Sequence, residues 1–337
     1  MPKRIPLPDE LNPKGFSAKD LEHLGIHRNR LRAKDIKKSL IGLIYQSAEE
    51  KRAVEKGADD NDSALELARA LARSFPNMWV SHVSAARLFG LYLPDSLKKD
   101  EQLHVSVPMN SGRIRRQGVV GHRSRNHEFI TEVRGVRVSM PHRAVLEMSR
   151  ELDEESLIIL GDQLVRNPYE RYEKRTEPYI PLARWLALAS SQKTPGKQAL
   201  KRSLEFVRVG SDSPKETLLR LALVDYGLPE PELQVRAEPT DRRSPTADMG
   251  YKQFRIAVHY DGSTHYHADS YAKDQRRDST FEKLSWRNIK CSNDDARRDF
   301  AHVHIEVTQA FYFQSRRFGI PLPPEVRVLG ERYGFAS

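Results

Sequence analysis

Phe254-Arg255-Ile256-Ala257-Val258-His259-Tyr260-Asp261-Gly262-Ser263-Thr264-His265 decides how the last third of this chain is read. The apolar residues up to Tyr260 predict a strand over 254–261 that runs out into an acid, a glycine and a histidine. Successive strand residues face opposite sides, so His259 and Asp261 share one face and Val258 and Tyr260 the other. Asp248 lies one strand length upstream, on a segment that itself reads as a strand over 246–251. An apolar strand ending in metal-capable side chains, with a second acid on the segment before it, suits a hydrolase that holds a divalent cation against a phosphodiester.

Working outward, the pattern from Ser213 is helix (213–226), strands (232–237, 246–251, 254–261), helix (269–284), strand (286–291) and helix (299–315). This is an α/β core of the size of a small nuclease domain. Glu216 falls in its first helix. Asp248 and Asp261 offer the oxygen atoms that a hard cation such as Mg or Mn takes, and they are the candidate metal ligands. His265 is placed to act as a general base or to shield the leaving oxygen. The candidate catalytic set is therefore Glu216, Asp248, His259, Asp261 and His265. Other residues here have plainer readings. Asp274, Arg277 and Asp278 at helical spacing read as a structural charge network against Trp286. His267, His302 and His304 read as surface groups, and Cys291 as a small buried hydrophobe.

Across the 337 residues, 56 Lys plus Arg stand against 46 Asp plus Glu, a formal charge of +10. That balance favours a polyanionic partner, because cations that neutralise phosphates release condensed counterions. The single cysteine excludes an intramolecular disulfide and a cysteine-based zinc site. No run approaches the ~18 apolar residues of a membrane span, and MPKRIPLPDE lacks the apolar core of a signal peptide, so a cytoplasmic protein is expected.

Residues 1–15, with Pro2, Pro6, Pro8 and Pro13, read as a poorly ordered lead-in. Phe16 to Gly25 predicts a short helix, Arg28 to Asp35 a second one, and Leu40-Ile41-Gly42-Leu43-Ile44-Tyr45 a small hairpin. Helix, tight turn, basic helix, hairpin is the order of a winged helix-turn-helix over 16–47. Asn29 and Arg30 are placed to reach base edges, and Arg28, Arg32, Lys34, Lys37 and Lys38 to meet phosphates, so DNA is the expected partner. A mixed α/β middle domain follows over 60–207. Its helices are expected at 64–73, 81–90, 142–151, 154–166, 181–190 and 195–207, its strands at 103–107 and 117–122, with a hairpin turn at Val133-Arg134-Gly135-Val136. His82, His104 and His122 are scattered in sequence and read as separate core or surface groups.

Two family resemblances carry further implications. From Ser213 to about Val307 the chain resembles the PD-(D/E)XK superfamily, in the branch of the very-short-patch-repair (Vsr) endonucleases. The residues that carry this are Ser213-Pro214-Lys215-Glu216-Thr217, the segment at 227–231, Asp248, the strand ending in Asp261-Gly262 and His265, Asp274-Gln275-Arg276-Arg277-Asp278, and Trp286. The resemblance implies a restriction-endonuclease-like mixed sheet flanked by helices over 211–320, with residues 321–337 left as a tail. The superfamily's usual residue in the place of His259 is a metal-ligating Glu. In the Vsr enzymes themselves that position is not acidic, and metal is held by the upstream Asp and a backbone carbonyl, with histidines assisting. His259 stands either as a nitrogen ligand or base, suiting Mn or Zn better than Mg, or as the mark of a decayed site. Residues 14–47 and 79–165 resemble the abortive-infection (AbiEi-type) antitoxins, through Arg30-Leu31-Arg32, the segment 81–91, His104-Val105-Ser106-Val107-Pro108, Gly121-His122-Arg123-Ser124 and Gly161-Asp162. This implies a winged-helix reader of DNA on a mixed α/β domain, and a cognate toxin as a second partner. The fold class expected is thus α/β, α+β overall. The functional expectation is a DNA-binding protein with an endonuclease-like domain that hydrolyses strands with a divalent metal. The alternative is an AbiEi-like transcriptional regulator or antitoxin whose nuclease domain no longer cuts.

Overall fold

The computed structural model describes residues 23–24, 37–38, 44–45, 60–169, 173–191, 196–241, 243–261 and 268–335. The chain is a mixed α/β protein of the α+β kind that divides into two compact units. One comprises Met1–Ser156 with Gln192–Lys197, the other Leu157–Ser191 with Gln198–Ser337. Of the two helices expected over 16–35 only His23 and Leu24 are described, both exposed, and Arg28, Asn29, Arg30, Arg32 and Lys34 lie outside the described residues. What is described there is a hairpin, β1 (Lys37–Lys38) against β2 (Ile44–Tyr45), antiparallel with Lys37 opposite Tyr45. Lys37 and Lys38 therefore belong to a strand of the hairpin.

The first unit continues with α1 (Asp60–Ser74), β3 (Trp79–Val80), α2 (His82–Leu88), α3 (Asp95–Lys98) and β4 (Leu103–Pro108). Then come β5 (Arg115–Arg116), β6 (Val119–Ser124), β7 (Ile130–Val133), β8 (Val136–Ser139) and α4 (Pro141–Met148). Six strands form a mixed sheet in the order β5-β6-β4-β3-β8-β7. The β7–β8 hairpin turns at Arg134 and Gly135, whose φ values of 49° and 78° are the paired positive angles that match the twist of a two-residue turn. At the sheet centre β4 runs parallel to β6, which sets Ser106 beside His122. Small residues let α2 lie close to its neighbours: Val83, Ala85 and Ala86 are fully buried, and the helix packs against α4.

Helix α5 (Glu154–Val165) leads from one unit into the other. The second unit then holds α6 (Leu182–Ser191), most of α7 (Lys197–Ser203), α8 (Pro214–Asp225), β9 (Glu232–Arg236), β10 (Thr246–Tyr251), β11 (Ile256–Asp261), α9 (Ala268–Lys283), β12 (Arg287–Ser292), α10 (Asn293–Arg297), α11 (Val303–Phe318) and α12 (Pro324–Tyr333). Its sheet has the order β12-β11-β10-β9, with β9, β10 and β11 antiparallel and β12 parallel to β11. Crossover helix α9 makes that last parallel pairing possible. One face packs Met249, Ile256, Val258, Ile289 and Cys291 against Leu219 and Leu223 of α8, Val307 and Phe311 of α11, and Val326 and Leu329 of α12. The other face is smaller: Val235, Ala237, Ala247 and Ala257 lie with Phe281 and Trp286.

Two expectations are corrected here. Residues 321–337 are no tail: α12 buries Val326 and Leu329 in the core. Pro323-Pro324 conceals this in the sequence, because a proline pair reads as a stop although Pro324 occupies the first helical turn, where no amide hydrogen is needed. Nor are His302 and His304 both surface groups. Helix α11 begins at Val303, leaving His302 exposed beside Glu306 and burying His304 on Tyr226, with ring centroids 3.9 Å apart.

Candidate functional site

The acids of the second unit meet where α8 approaches the sheet. Ser213 caps α8, accepting from the Glu216 amide at 3.2 Å, and the Glu216 carboxylate turns back to accept from the Asp212 amide at 2.9 Å. This local capping pattern fixes Glu216 at the helix start. Asp248 reaches the same place from β10. Residues two apart on a strand normally share a face, yet Ala247 and Val235 pack under α9 while Met249 and Leu233 pack on the opposite face. The switch falls between these pairs, beside Gln234, whose φ of 51° kinks β9. Asp248 is placed at that break, and its Oδ2 accepts from the Tyr260 amide of β11 at 2.7 Å.

The electrostatics of this cleft are those of crowded carboxylates. Burial first, and the charge of Asp248 second, push Glu216 up to about 7. Asp248 is raised mainly by burial, with Asp212 adding and the Tyr260 amide and Arg277 opposing. Asp212 is raised by burial as well; it accepts from the Tyr169 hydroxyl and, at 2.9 Å, from the Gln234 amide. Oxygen donors that burial and repulsion drive towards protonation suit a hard cation, whose charge would remove both penalties. Glu216 and Asp248 are thus the described residues that fit a divalent ion of the Mg or Mn class.

The rest of the expected set is arranged differently. Asp261 is exposed at the end of β11, opposite Ser292. His265 and His267 lie outside the described residues, as does the side chain of Asp274. His259 is 1 % exposed and packs edge-on against Phe281 of α9 with centroids 5.3 Å apart. Neither of its ring nitrogens has a hydrogen-bond partner among the described residues. Burial, reinforced by the Arg277 charge, holds the ring down to about 4, so it is neutral at physiological pH. The charge network expected against Trp286 is also redrawn. Asp278 pairs with Lys290 of β12, while the Trp286 indole donates to the Ala237 carbonyl at 3.0 Å. Cys291 is buried as expected.

A second constellation forms in the first unit, one that the sequence does not announce. His82, His104 and His122 each offer a nitrogen, and these atoms all lie within 4.8 Å of one another. Among the described residues, no group of three acids, nor any other set of histidine, cysteine and acid side chains, meets that criterion. The expectation that these histidines are separate groups is therefore corrected. They are 18 to 40 positions apart in the chain, so spacing gives no sign, and only the parallel β4–β6 pairing beside the start of α2 unites them. The Ser-Val pattern at 104–107 and the Gly-His-Arg-Ser run at 121–124 are the available signals.

Comparison with known proteins adds little about chemistry. No family model matches the chain, and no solved structure matches it. Uncharacterized proteins from two strains of Mycobacterium tuberculosis, CDC 1551 / Oshkosh and ATCC 25618 / H37Rv, are each 29% identical over 115 residues. That stretch is 34% of this chain, and the chain spans 42% of the length of these relatives.

Proposed function

We propose that this chain is a DNA-binding protein whose second unit is an endonuclease-like domain of the PD-(D/E)XK, Vsr-like kind, hydrolysing DNA strands with a divalent metal held at Asp248 and Glu216. The carrying observation is the acid cluster: Asp248 from β10, opposite the kink at Gln234 of β9, and Glu216 from the capped start of α8 are both raised by burial, and the charge of Asp248 raises Glu216 further. Support also comes from the helix, three strands, helix, strand order of that unit, which is the order of the motifs read from the sequence. When bound, the metal would supply Lewis acidity and a more acidic water. The residues would hold it, and the Tyr260 amide would fix the Asp248 carboxylate. The net charge of +10 and the basic run from Arg28 to Lys38 favour DNA as the polyanion.

The test is tag-free protein incubated with plasmid, nicked, mismatched and single-stranded DNA in Mg or Mn, beside Asp248→Ala. Metal-stimulated cleavage should disappear in the variant while DNA affinity stays within about twofold, since a lost cleft acid removes no phosphate contact. Equal cleavage by both proteins would sink the assignment.

One observation favours a second reading, that of an AbiEi-like regulator or antitoxin whose nuclease domain has lost its chemistry, with a cognate toxin as partner. His259, where the superfamily's second acid is expected, is buried against Phe281, and Asp261 stands exposed at the strand end. This reading expects salt-sensitive binding to the protein's own promoter and no metal-dependent product from the wild type. Gain of cleavage in His259→Glu would then identify the histidine as the change that silenced the site.

A further inference from the structure

We infer that His82, His104 and His122 form a binding site for a transition-metal ion of the zinc class, separate from the acid cleft of the second unit. The geometry is that of a first shell held by a second. His104 Nε2 lies 2.9 Å from Asp100 Oδ2, and a carboxylate can only accept, so the ring proton sits on Nε2 and the lone pair on Nδ1. That Nδ1 points at His122 Nε2, 3.1 Å away. Two nitrogens on one tetrahedral zinc are about 3.3 Å apart, given zinc–nitrogen bonds of about 2.0–2.1 Å. The two nitrogens are thus already near the separation at which one ion would bind both.

His82 is brought to them by an unusual backbone. It is the first residue of α2 and has a φ of 51°, a left-handed conformation that a β-carbon disfavours. Glu147 of α4 holds it there, accepting from the His82 amide at 3.0 Å. Glu147 is itself fixed by the Arg143 guanidinium at 2.8 Å and the Ser139 hydroxyl at 3.0 Å. The result stacks the His82 ring on His122, centroids 3.7 Å apart and 14° from parallel. His82 Nδ1 is engaged by Ser81 Oγ at 3.0 Å, with Glu147 Oε2 at 3.8 Å, which leaves Nε2 for a ligand bond.

Three clustered imidazoles cannot share a pocket as cations. Neutral imidazole is the ligand form, and zinc, nickel and copper take it readily while Mg does not. His82 and His122 also line a cleft of about 410 Å3 with Ser106, Arg113, Arg123 and Glu147, which gives the ion an entry path and leaves room for a water as a further ligand. The three nitrogens lie within 4.8 Å of one another, against about 3.3 Å on one tetrahedral zinc, so binding draws the rings closer together.

The experiment uses the tag-free full chain carrying Asp248→Ala, so that the acid cleft does not compete. Zn(II) or Co(II) is titrated after chelator dialysis, with bound metal measured by mass spectrometry and the Co(II) ligand-field spectrum recorded. One equivalent with nitrogen-ligated Co(II) bands is expected. His82→Ala and His122→Ala, both at half-buried positions, should each weaken binding at least tenfold with an unchanged circular dichroism spectrum. Asp100→Asn should weaken it by about 10–100-fold, as loss of a carboxylate that orients a ligand does. No stoichiometric binding, or the same affinity in His82→Ala and His122→Ala as in the parent, would overturn the site.

Discussion

His259 shows how much a single position can bear. Its ring is buried beside Phe281 without a hydrogen bond of good geometry among the described residues, and the nearby Asn288 and Asp278 return little of the hydration it loses, since burial dominates its depressed proton affinity. Replacing it by an apolar side chain of similar reach should help. His259→Leu is expected to raise stability by about 1–3 kcal/mol, read as a shift of the urea midpoint, the desolvation cost of an unpaired buried group. Glu216 makes the opposite kind of statement, one that depends on pH. Its folded value of about 7 lies above the ordinary 4.5, so the folded state holds the extra proton between these limits. Stability from this group is complete below pH 4.5 and is lost as pH rises through 7. Glu216→Gln keeps the oxygen that accepts from the Asp212 amide but cannot ionise. It should match the wild type at pH 5 and exceed it at pH 8, by up to about 3 kcal/mol. Thermal melts at the two pH values check this, and an equal difference at both would refute the crowded-carboxylate picture.

At the scale of elements, the second unit depends on a buried ion pair that ties α5 to α8. Asp162 is fully buried and Arg220 is 1 % exposed, and they meet at 2.9 Å. All of the pair but Arg220 Nε is hydrogen-bonded among the described residues: Asp162 also accepts from Thr217 Oγ1 at 2.9 Å and the Arg208 amide at 2.7 Å, and Arg220 also donates to Glu230 at 2.9 Å and the Phe206 carbonyl at 2.8 Å. Removing one partner strands a charge, so Asp162→Ala should cost about 3–5 kcal/mol in denaturant unfolding. Replacing both by apolar residues should cost much less, because the desolvation penalty disappears along with the attraction. Hairpin β10–β11 is constrained differently: a β-carbon on Gly250 would lie 2.2 Å from the Ile256 carbonyl oxygen, and only glycine permits that approach.

For the whole molecule, charge sets the expected behaviour with DNA. If the basic N-terminal run meets phosphates, log affinity should fall linearly with log salt, with a slope of about −0.9 for each neutralised phosphate. Arg28→Ala with Lys34→Ala should flatten that slope by roughly 2 and weaken binding on every sequence alike. Fluorescence anisotropy across a salt series measures this, and an unchanged slope would remove the basic run from the interface.

Much of the architecture is legible in the sequence alone. The helix and strand order from Ser213 to Val307 follows from local periodicity, and so do the hairpin at Arg134-Gly135 and the burial of Cys291, because repeating patterns of apolar residues record which face turns inward. Asp248 and Glu216 are legible as candidates, since each lies in a well-marked element, Asp248 within a strand and Glu216 in the first turn of a helix. The meeting of Glu216, Asp248 and Asp212 in one cleft, the burial of His259, the exposure of Asp261 and the helix at 324–333 are decided only in three dimensions. So is the convergence of His82, His104 and His122, which belong to a helix start and two strands. Periodicity reports the burial of each element separately. Contact between side chains distant in sequence depends on strand order and on kinks such as Gln234 and His82, and these are settled by packing of the whole unit.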